Sequence, residues 1–362
     1  MAVPPRRRSS ELLNLFKGKS NRTKKTRRSE NTGHIAENFR WRRSIGTVAS
    51  REKLLRQSLP NTLDGELKMS LNLRYTKETF NRLTMKQRMF YEKNGYLVIP
   101  RLIPQDVIDK CHKRFDDIVE GKVSKDCVTV MYDIKDRKSV NKIQDIHRDE
   151  VFGPQYMMHK NILDIVECFT GPNILAIHSM LIAKPPDIGF GSSRHPPHQD
   201  LYYFPLRPAN NIVAVWTALE PCNSKNGCLY VSPGTHTLNK LFEHKYPVDS
   251  NGAVNKFYHG IHNLTPVLSH WEYLEMQPGD TVFFHPLLIH GSGVNKSDRT
   301  RRAISCHYAA ANCDFVDDDP MQDTIRNEIL EAMSKKYPGI IMTYADIWRF
   351  KSMLVRGLKS SV

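Results

Sequence analysis

Residues Thr281–Arg302 read TVFFHPLLIHGSGVNKSDRTRR. A short apolar run, Thr281–His285, meets Pro286, and a second apolar stretch ends on His290. Gly291-Ser292-Gly293 reads as a flexible turn, and Arg301-Arg302 opens the next apolar segment, Ala303–Ala309. Runs of this length, rich in β-branched and aromatic residues and bounded by Gly and Pro, are strand signatures. The pattern extends upstream, where Ile174–Ala183, Ile212–Leu219 and Cys228–Val231 also predict strands. Pro185-Pro186, Asn226-Gly227, Pro233-Gly234 and Pro278-Gly279-Asp280 punctuate them. Many short strands separated by such turns imply an antiparallel sandwich or barrel.

Helices flank this β region. Thr84 and Gln87 form a T-x-x-Q capping box that starts a helix over Met85–Asn94, with Gly95 as its stop. Tyr96–Ile99 reads as a buried strand closed by Pro100. A helix over about Gln105–Glu120 places Val107, Ile108, Cys111, Phe115 and Ile118 on one stripe, and another covers about Ile162–Phe169. Two more are expected near Gln322–Lys335 and Ala345–Val355.

With 362 residues, 40% of them hydrophobic, the chain can bury a large core. No apolar run approaches the roughly 20 residues of a membrane-spanning helix. The net charge of +15 is concentrated: residues 1–56 hold 16 Lys/Arg and 4 Asp/Glu, a net of +12 that leaves +3 for the remainder. Residues 1–70 therefore read as a basic tail, solvated and disordered or used for targeting, and 71–362 as one folded domain. The tail carries no nucleic-acid-binding motif and no aromatic stacking platform, so no nucleic acid is expected as partner. It lacks the apolar core of a secretory signal, and the C-terminus is not a peroxisomal S-K-L address. The seven cysteines are odd in number and none are spaced C-x-x-C; they read as reduced thiols.

Two His and one carboxylate on one face of a metal, with open positions left over, is the donor set of non-haem iron oxygenases. Its sequence form is H-x-D/E followed by a distant His. Three segments fit: His147-Arg148-Asp149, His198-Gln199-Asp200 and His270-Trp271-Glu272. Context separates them. A dicarboxylate co-substrate needs a planar Arg fork about ten residues beyond the distal His. For His198 and Asp200, His290 is suitably distant and Arg301 follows it by 11 residues. For His147 and Asp149 the matching His is His236, and no Arg lies between Arg207 and Arg299. For His270 and Glu272, His285 and His290 come too soon. His285 competes with His290 as third ligand, but it lies inside the apolar run, where a core histidine is expected; His290 stands at the run's end. His195 reads as a flank, and Arg302 should face away from Arg301.

The segments HPPHQDLYYFP (His195–Pro205), NGCLYVSPGTH (Asn226–His236), GDTVFFHPLLIHGSG (Gly279–Gly293), AISCH (Ala303–His307) and VECFTGPNI (Val166–Ile174) resemble those of the phytanoyl-CoA dioxygenases, over roughly residues 72–357. That resemblance implies a mainly β fold with flanking helices, a double-stranded β-helix or jelly roll. It implies Fe(II) on His198, Asp200 and His290, 2-oxoglutarate anchored by Arg301, and Lys142, Met180, Trp216 and Ser292 as further co-substrate neighbours. It also implies O2 as oxidant, ascorbate as reductant and a 3-methyl-branched fatty acyl-CoA as substrate, 2-hydroxylated in fatty-acid α-oxidation. The rival is the same chemistry on another acyl thioester or a small metabolite. Asp200 sets the chain apart from halogenases of this superfamily, which lack the carboxylate. The family role implies a peroxisomal location, although residues 1–70 hold no recognisable peroxisomal signal; mitochondrion and cytoplasm are the alternatives.

Overall fold

The computed structural model describes residues 73–133, 138–187, 193–248, 258–264 and 270–358. The tail expected over residues 1–70 lies outside them. In chain order the strands are β1 (Tyr96–Ile99), β2 (Thr129–Tyr132), β3 (Val140–Gln144), β4 (Ile174–Lys184), β5 (His195–His198), β6 (Leu206–Arg207), β7 (Ile212–Ala218), β8 (Leu229–Val231), β9 (His244–Lys245), β10 (Gly260–Ile261), β11 (Glu272–Leu274), β12 (Thr281–Phe284), β13 (His290–Ser292), β14 (Arg301–Ala310), β15 (Asp314–Phe315) and β16 (Met353–Arg356). The α-helices are α1 (Met85–Asn94), α2 (Gln105–Val119), α3 (Lys160–Thr170), α4 (Asp323–Lys336) and α5 (Tyr344–Lys351). None is long and apolar enough to cross a membrane.

The larger sheet has eight antiparallel strands in the order β1-β12-β7-β14-β4-β3-β2, with β16 on β4; the smaller runs β11-β8-β13-β5. This is the antiparallel sandwich expected from the turn-punctuated runs and the jelly roll that the family resemblance implies. Its long axis is the β4–β14 ladder, which runs from Arg301 opposite Lys184 to Ala310 opposite Ile174 with one bulge between His307 and Tyr308. Strand alternation sorts the residues of β14 between two faces. Ile304, Cys306 and Tyr308 join Val213 and Val215 of β7 in a core with α2 and α3. Ala303 joins Ala214, Trp216 and Ala218 in a second core toward β8 and β11.

Helix α1 begins at the expected capping box and ends at Gly95 in left-handed backbone, φ 79°. A Cβ there would also come within 2.4 Å of the His236 ring, so this stop must be glycine. Helix α2 has no side-chain cap. Its predicted stripe is buried, and each large apolar side chain so buried contributes roughly 1.5–3 kcal/mol, well above the ~1 kcal/mol of a missing cap.

Two expectations are corrected. The last helix stops at Lys351 rather than running to Val355; Met353–Arg356 instead pairs with β4, opposite Ala176–Ile174. Gly291-Ser292 is not a turn but part of β13, paired with both β8 and β5. All seven cysteines are free.

Candidate active site

Strand β5 brings His198 opposite His290 of β13. The backbone then turns through Asp200–Tyr203, which returns the Asp200 carboxylate toward the two rings. The His198 Nδ1 lies 2.9 Å from the Pro196 carbonyl and the His290 Nδ1 3.0 Å from the Leu288 carbonyl. A carbonyl only accepts, so both Nδ1 atoms carry the proton and both Nε2 atoms keep a free lone pair. Asp200 Oδ1 lies 3.3 Å from His198 Nε2 and 3.6 Å from His290 Nε2. The three donor atoms lie within 4.8 Å of one another, and among the described residues no other His, Cys, Asp or Glu group converges in this way. Gly291 allows the close approach: a Cβ there would sit 2.5 Å from the Tyr230 hydroxyl and 2.9 Å from the His195 carbonyl.

The electrostatics suit a cation. Burial, with His198 beside it, pushes the His290 imidazole down to about 4, which keeps it in the neutral, metal-binding form. Burial alone would raise the Asp200 carboxyl. The neighbouring His290 and His307 rings and the hydrogen bond from His307 outweigh it and hold the group well below the usual carboxylate range. Two neutral imidazoles and one carboxylate fit a divalent iron with positions to spare.

Arg301 is 2% exposed and its Nη2 donates to the Gly227 carbonyl at 3.0 Å, while Nε and Nη1 are buried without a partner. Its guanidinium lies 5.4 Å from the centre of the Trp216 ring. Directly across the ladder, Lys184 donates to Ser292 Oγ at 2.7 Å and to the Gly293 carbonyl at 2.6 Å. Burial first, then the Arg301 charge, push the Lys184 ammonium well below its usual range. Neither cation pairs with a carboxylate among the described residues, so the pair fits an incoming anion. The orphaned guanidinium nitrogens and the adjoining ammonium suit the far carboxylate of 2-oxoglutarate.

Met180 and Trp216 flank Ser305 in register, and Lys142 stands on β3 with its ammonium 4.8 Å from the Tyr258 ring centre. All eight residues singled out from the sequence border one cavity of about 770 Å³. His285 is elsewhere: its Nδ1 accepts from the Leu287 N–H at 3.2 Å and its Nε2 lies 3.2 Å from Asn210 Oδ1. His195 stacks on His198 with ring centres 3.8 Å apart. Arg302 faces the opposite side and pairs with Asp116 on α2 at 2.8 Å.

Sequence reasoning missed two residues of this site, Lys184 and His307. His307 Nε2 donates to Asp200 Oδ2 at 2.8 Å, which orients the carboxylate and leaves Oδ1 for the centre. Strand period would have found both: His307 lies six residues beyond Arg301, and Lys184 four beyond Met180, each on the same face.

Among known proteins, the chain matches the phytanoyl-CoA dioxygenase (PhyH) family over residues 91–303. It is 47% identical over 293 residues to the peroxisomal phytanoyl-CoA dioxygenase of Mus musculus, covering 78% of this chain and 85% of that one. The Homo sapiens protein of the same name is 45% identical, with the same shares covered. A probable phytanoyl-CoA dioxygenase of Caenorhabditis elegans is 44% identical, covering 80% of this chain and 97% of its own. Among solved structures, EctD from S. alaskensis with 2-oxoglutarate and 5-hydroxyectoine superposes with a TM-score of 0.52 at 18% identity, covering 67% of this chain and 82% of that one; it shares the fold. With a family match over more than half of its length and relatives at this identity, the chain belongs to the phytanoyl-CoA dioxygenase family.

Proposed function

We propose that this chain is an Fe(II)- and 2-oxoglutarate-dependent dioxygenase that hydroxylates C2 of a 3-methyl-branched fatty acyl-CoA such as phytanoyl-CoA. One O2 supplies an oxygen atom to the new C2 hydroxyl and one to succinate, as 2-oxoglutarate loses CO2. The observation that carries this reading is one cavity holding both a His-Asp-His donor set and two buried, anion-seeking cations. The 45% identity to the human peroxisomal enzyme supports the substrate class and a peroxisomal location. Residues 71–362 form the oxygenase and 1–70 a separate segment.

His198, Asp200 and His290 would hold the iron, which when bound supplies O2 activation and the oxidising power to break the C2–H bond, with ascorbate keeping it reduced. Arg301 and Lys184 take the far carboxylate of 2-oxoglutarate. Because Ser292 Oγ accepts from Lys184, its own proton is left to donate elsewhere. Lys142 supplies a further donor, and Met180 and Trp216 form an apolar wall that excludes water from the reacting atoms.

The test is succinate release with and without phytanoyl-CoA, with the acyl product analysed by mass. Release should be strongly stimulated and matched by one added oxygen per acyl chain. Release that ignores phytanoyl-CoA but responds to another thioester or a small metabolite would reassign the substrate and leave the cofactors in place.

A further inference from the structure

The cavity extends beyond the donor set to a wall formed by one face of α4. Ile325, Ile329 and Met333, each four residues apart, line it with Ala332, Met342 and Ile347. Helix α4 differs from α2 and α3, which bury whole apolar stripes: Ile325 is its one buried residue, and Ile329 and Met333 stay half-buried. Polar contacts hold it instead. Glu328 accepts from the Tyr246 hydroxyl at 2.8 Å and pairs with His259 Nε2 at 3.1 Å. Just ahead of the helix, Gln322 donates to the carbonyls of Leu201, Tyr202 and Phe204, each at 2.9 Å. Those bonds tie the start of α4 to the turn that carries Asp200. The stripe and the donor set thus border the same cavity, and the helix ends at exposed Lys336.

A helix that leaves its apolar stripe uncovered needs an apolar partner. We propose that the Ile325–Ile329–Met333 stripe, with Met342, is the docking surface for the acyl chain, and that Met333 and Met342 set the chain length accepted. This rests on the acyl-CoA reading above. Ile325, Ile329, Ala332 and Met333 offer no side-chain donor and no acceptor beyond a weak thioether, so a phosphorylated or amide-bearing arm gains little there, whereas each methylene taken out of water strengthens binding roughly fourfold. Two methionines suit a branched chain, because the unbranched thioether adapts its shape.

The test compares kcat/KM across 3-methyl and straight acyl-CoAs of increasing length for wild type, Met333→Trp and Met342→Trp. Anaerobic iron and 2-oxoglutarate binding serves as the check on folding. Met333→Trp should cut kcat/KM for the longest chains by about tenfold or more, the worth of two or so methylenes, and spare the shortest. If wild type turns over no acyl-CoA, the proposed reaction itself fails. If wild type is active and the variants keep its length profile, or lose all lengths equally, the stripe does not hold the acyl chain. Should the Trp variants not fold, Met333→Ala and Met342→Ala replace them; they should weaken the longest chains selectively, and an unchanged profile overturns the proposal.

Discussion

Histidine, one spacer and aspartate occur twice in this chain, at His147–Asp149 and His198–Asp200, and the two copies have opposite fates. At the first, both ring nitrogens are engaged: His147 Nδ1 with Ser179 Oγ at 2.7 Å and Nε2 with the Lys351 carbonyl at 2.8 Å. Asp149 receives Arg114 at 2.8 Å and the backbone N–H groups of Val151 and Phe152. At the second, each histidine uses only Nδ1 on a carbonyl, and Asp200 gives Oδ2 to His307. The first copy closes a fold and the second leaves three lone pairs converging. What distinguishes a ligand from a structural residue is the atom left over after the protein's own hydrogen bonds are made.

The sharpest way to break this comparison is to remove each copy. His198→Ala, Asp200→Ala and His290→Ala should each abolish turnover and tight Fe(II) binding, while His147→Ala still binds the metal; iron titration of purified variants decides. An iron-free His147→Ala beside a competent His198→Ala would invert the assignment. Arg301→Ala should bind iron normally but weaken 2-oxoglutarate about 30-fold or more, since truncating one partner of a buried charge pair costs roughly 2–5 kcal/mol. Arg301→Lys should recover part of this, because an ammonium lacks the fork. Saturation curves in each substrate check it; a shift confined to acyl-CoA would move Arg301 to the other substrate.

Smaller effects sharpen the contrast. His307→Phe leaves Asp200 Oδ2 without its donor and should weaken Fe(II) binding by about tenfold, the usual scale for a residue that orients a ligand; unchanged affinity would leave His307 without that role. Asp149→Ala should do the reverse, sparing the metal and lowering stability by about 2 kcal/mol by denaturant titration. That is below the roughly 3–5 kcal/mol of a broken buried pair, because Arg114 keeps exposed Glu150 at 3.1 Å. Smallest of all, deleting residues 1–70 should leave kcat/KM within about twofold, the scatter of substitutions far from any such feature. A folded but inactive truncation would place part of the site in that segment.

What the sequence made legible was local. The capping box at Thr84, the stripe of α2 and the turn-bounded strands each follow from neighbouring residues. What stayed hidden depended on distant partners. His195–His198 does not look like a strand because Pro196 and Pro197 cannot donate to a ladder, yet β5 is an edge strand, where proline is tolerated. Gly291 looks like a turn residue, but it is glycine because Tyr230 presses against it. Met353–Arg356 continues a helical pattern until β4 offers it a partner. In the site, the donor set and Arg301 were readable from spacing, whereas Lys184 and His307 gain meaning only across the ladder.

That ladder also acts as a ruler. On one face of two paired strands, Arg301 stands opposite Lys184 and His307 opposite His178. Six residues separate the cationic end from the imidazole end, about 20 Å of strand at 3.3 Å per residue. Arg301 stands at one end and His307, through Asp200, holds the other, so the spacing between the cationic pair and the donor set is set by backbone count and not by a loop. A single residue gained or lost between Ala303 and Ser305 would turn one end onto the helical side, toward the Asp116 that now holds Arg302. The distance between the two ends is thus written into the register of β14.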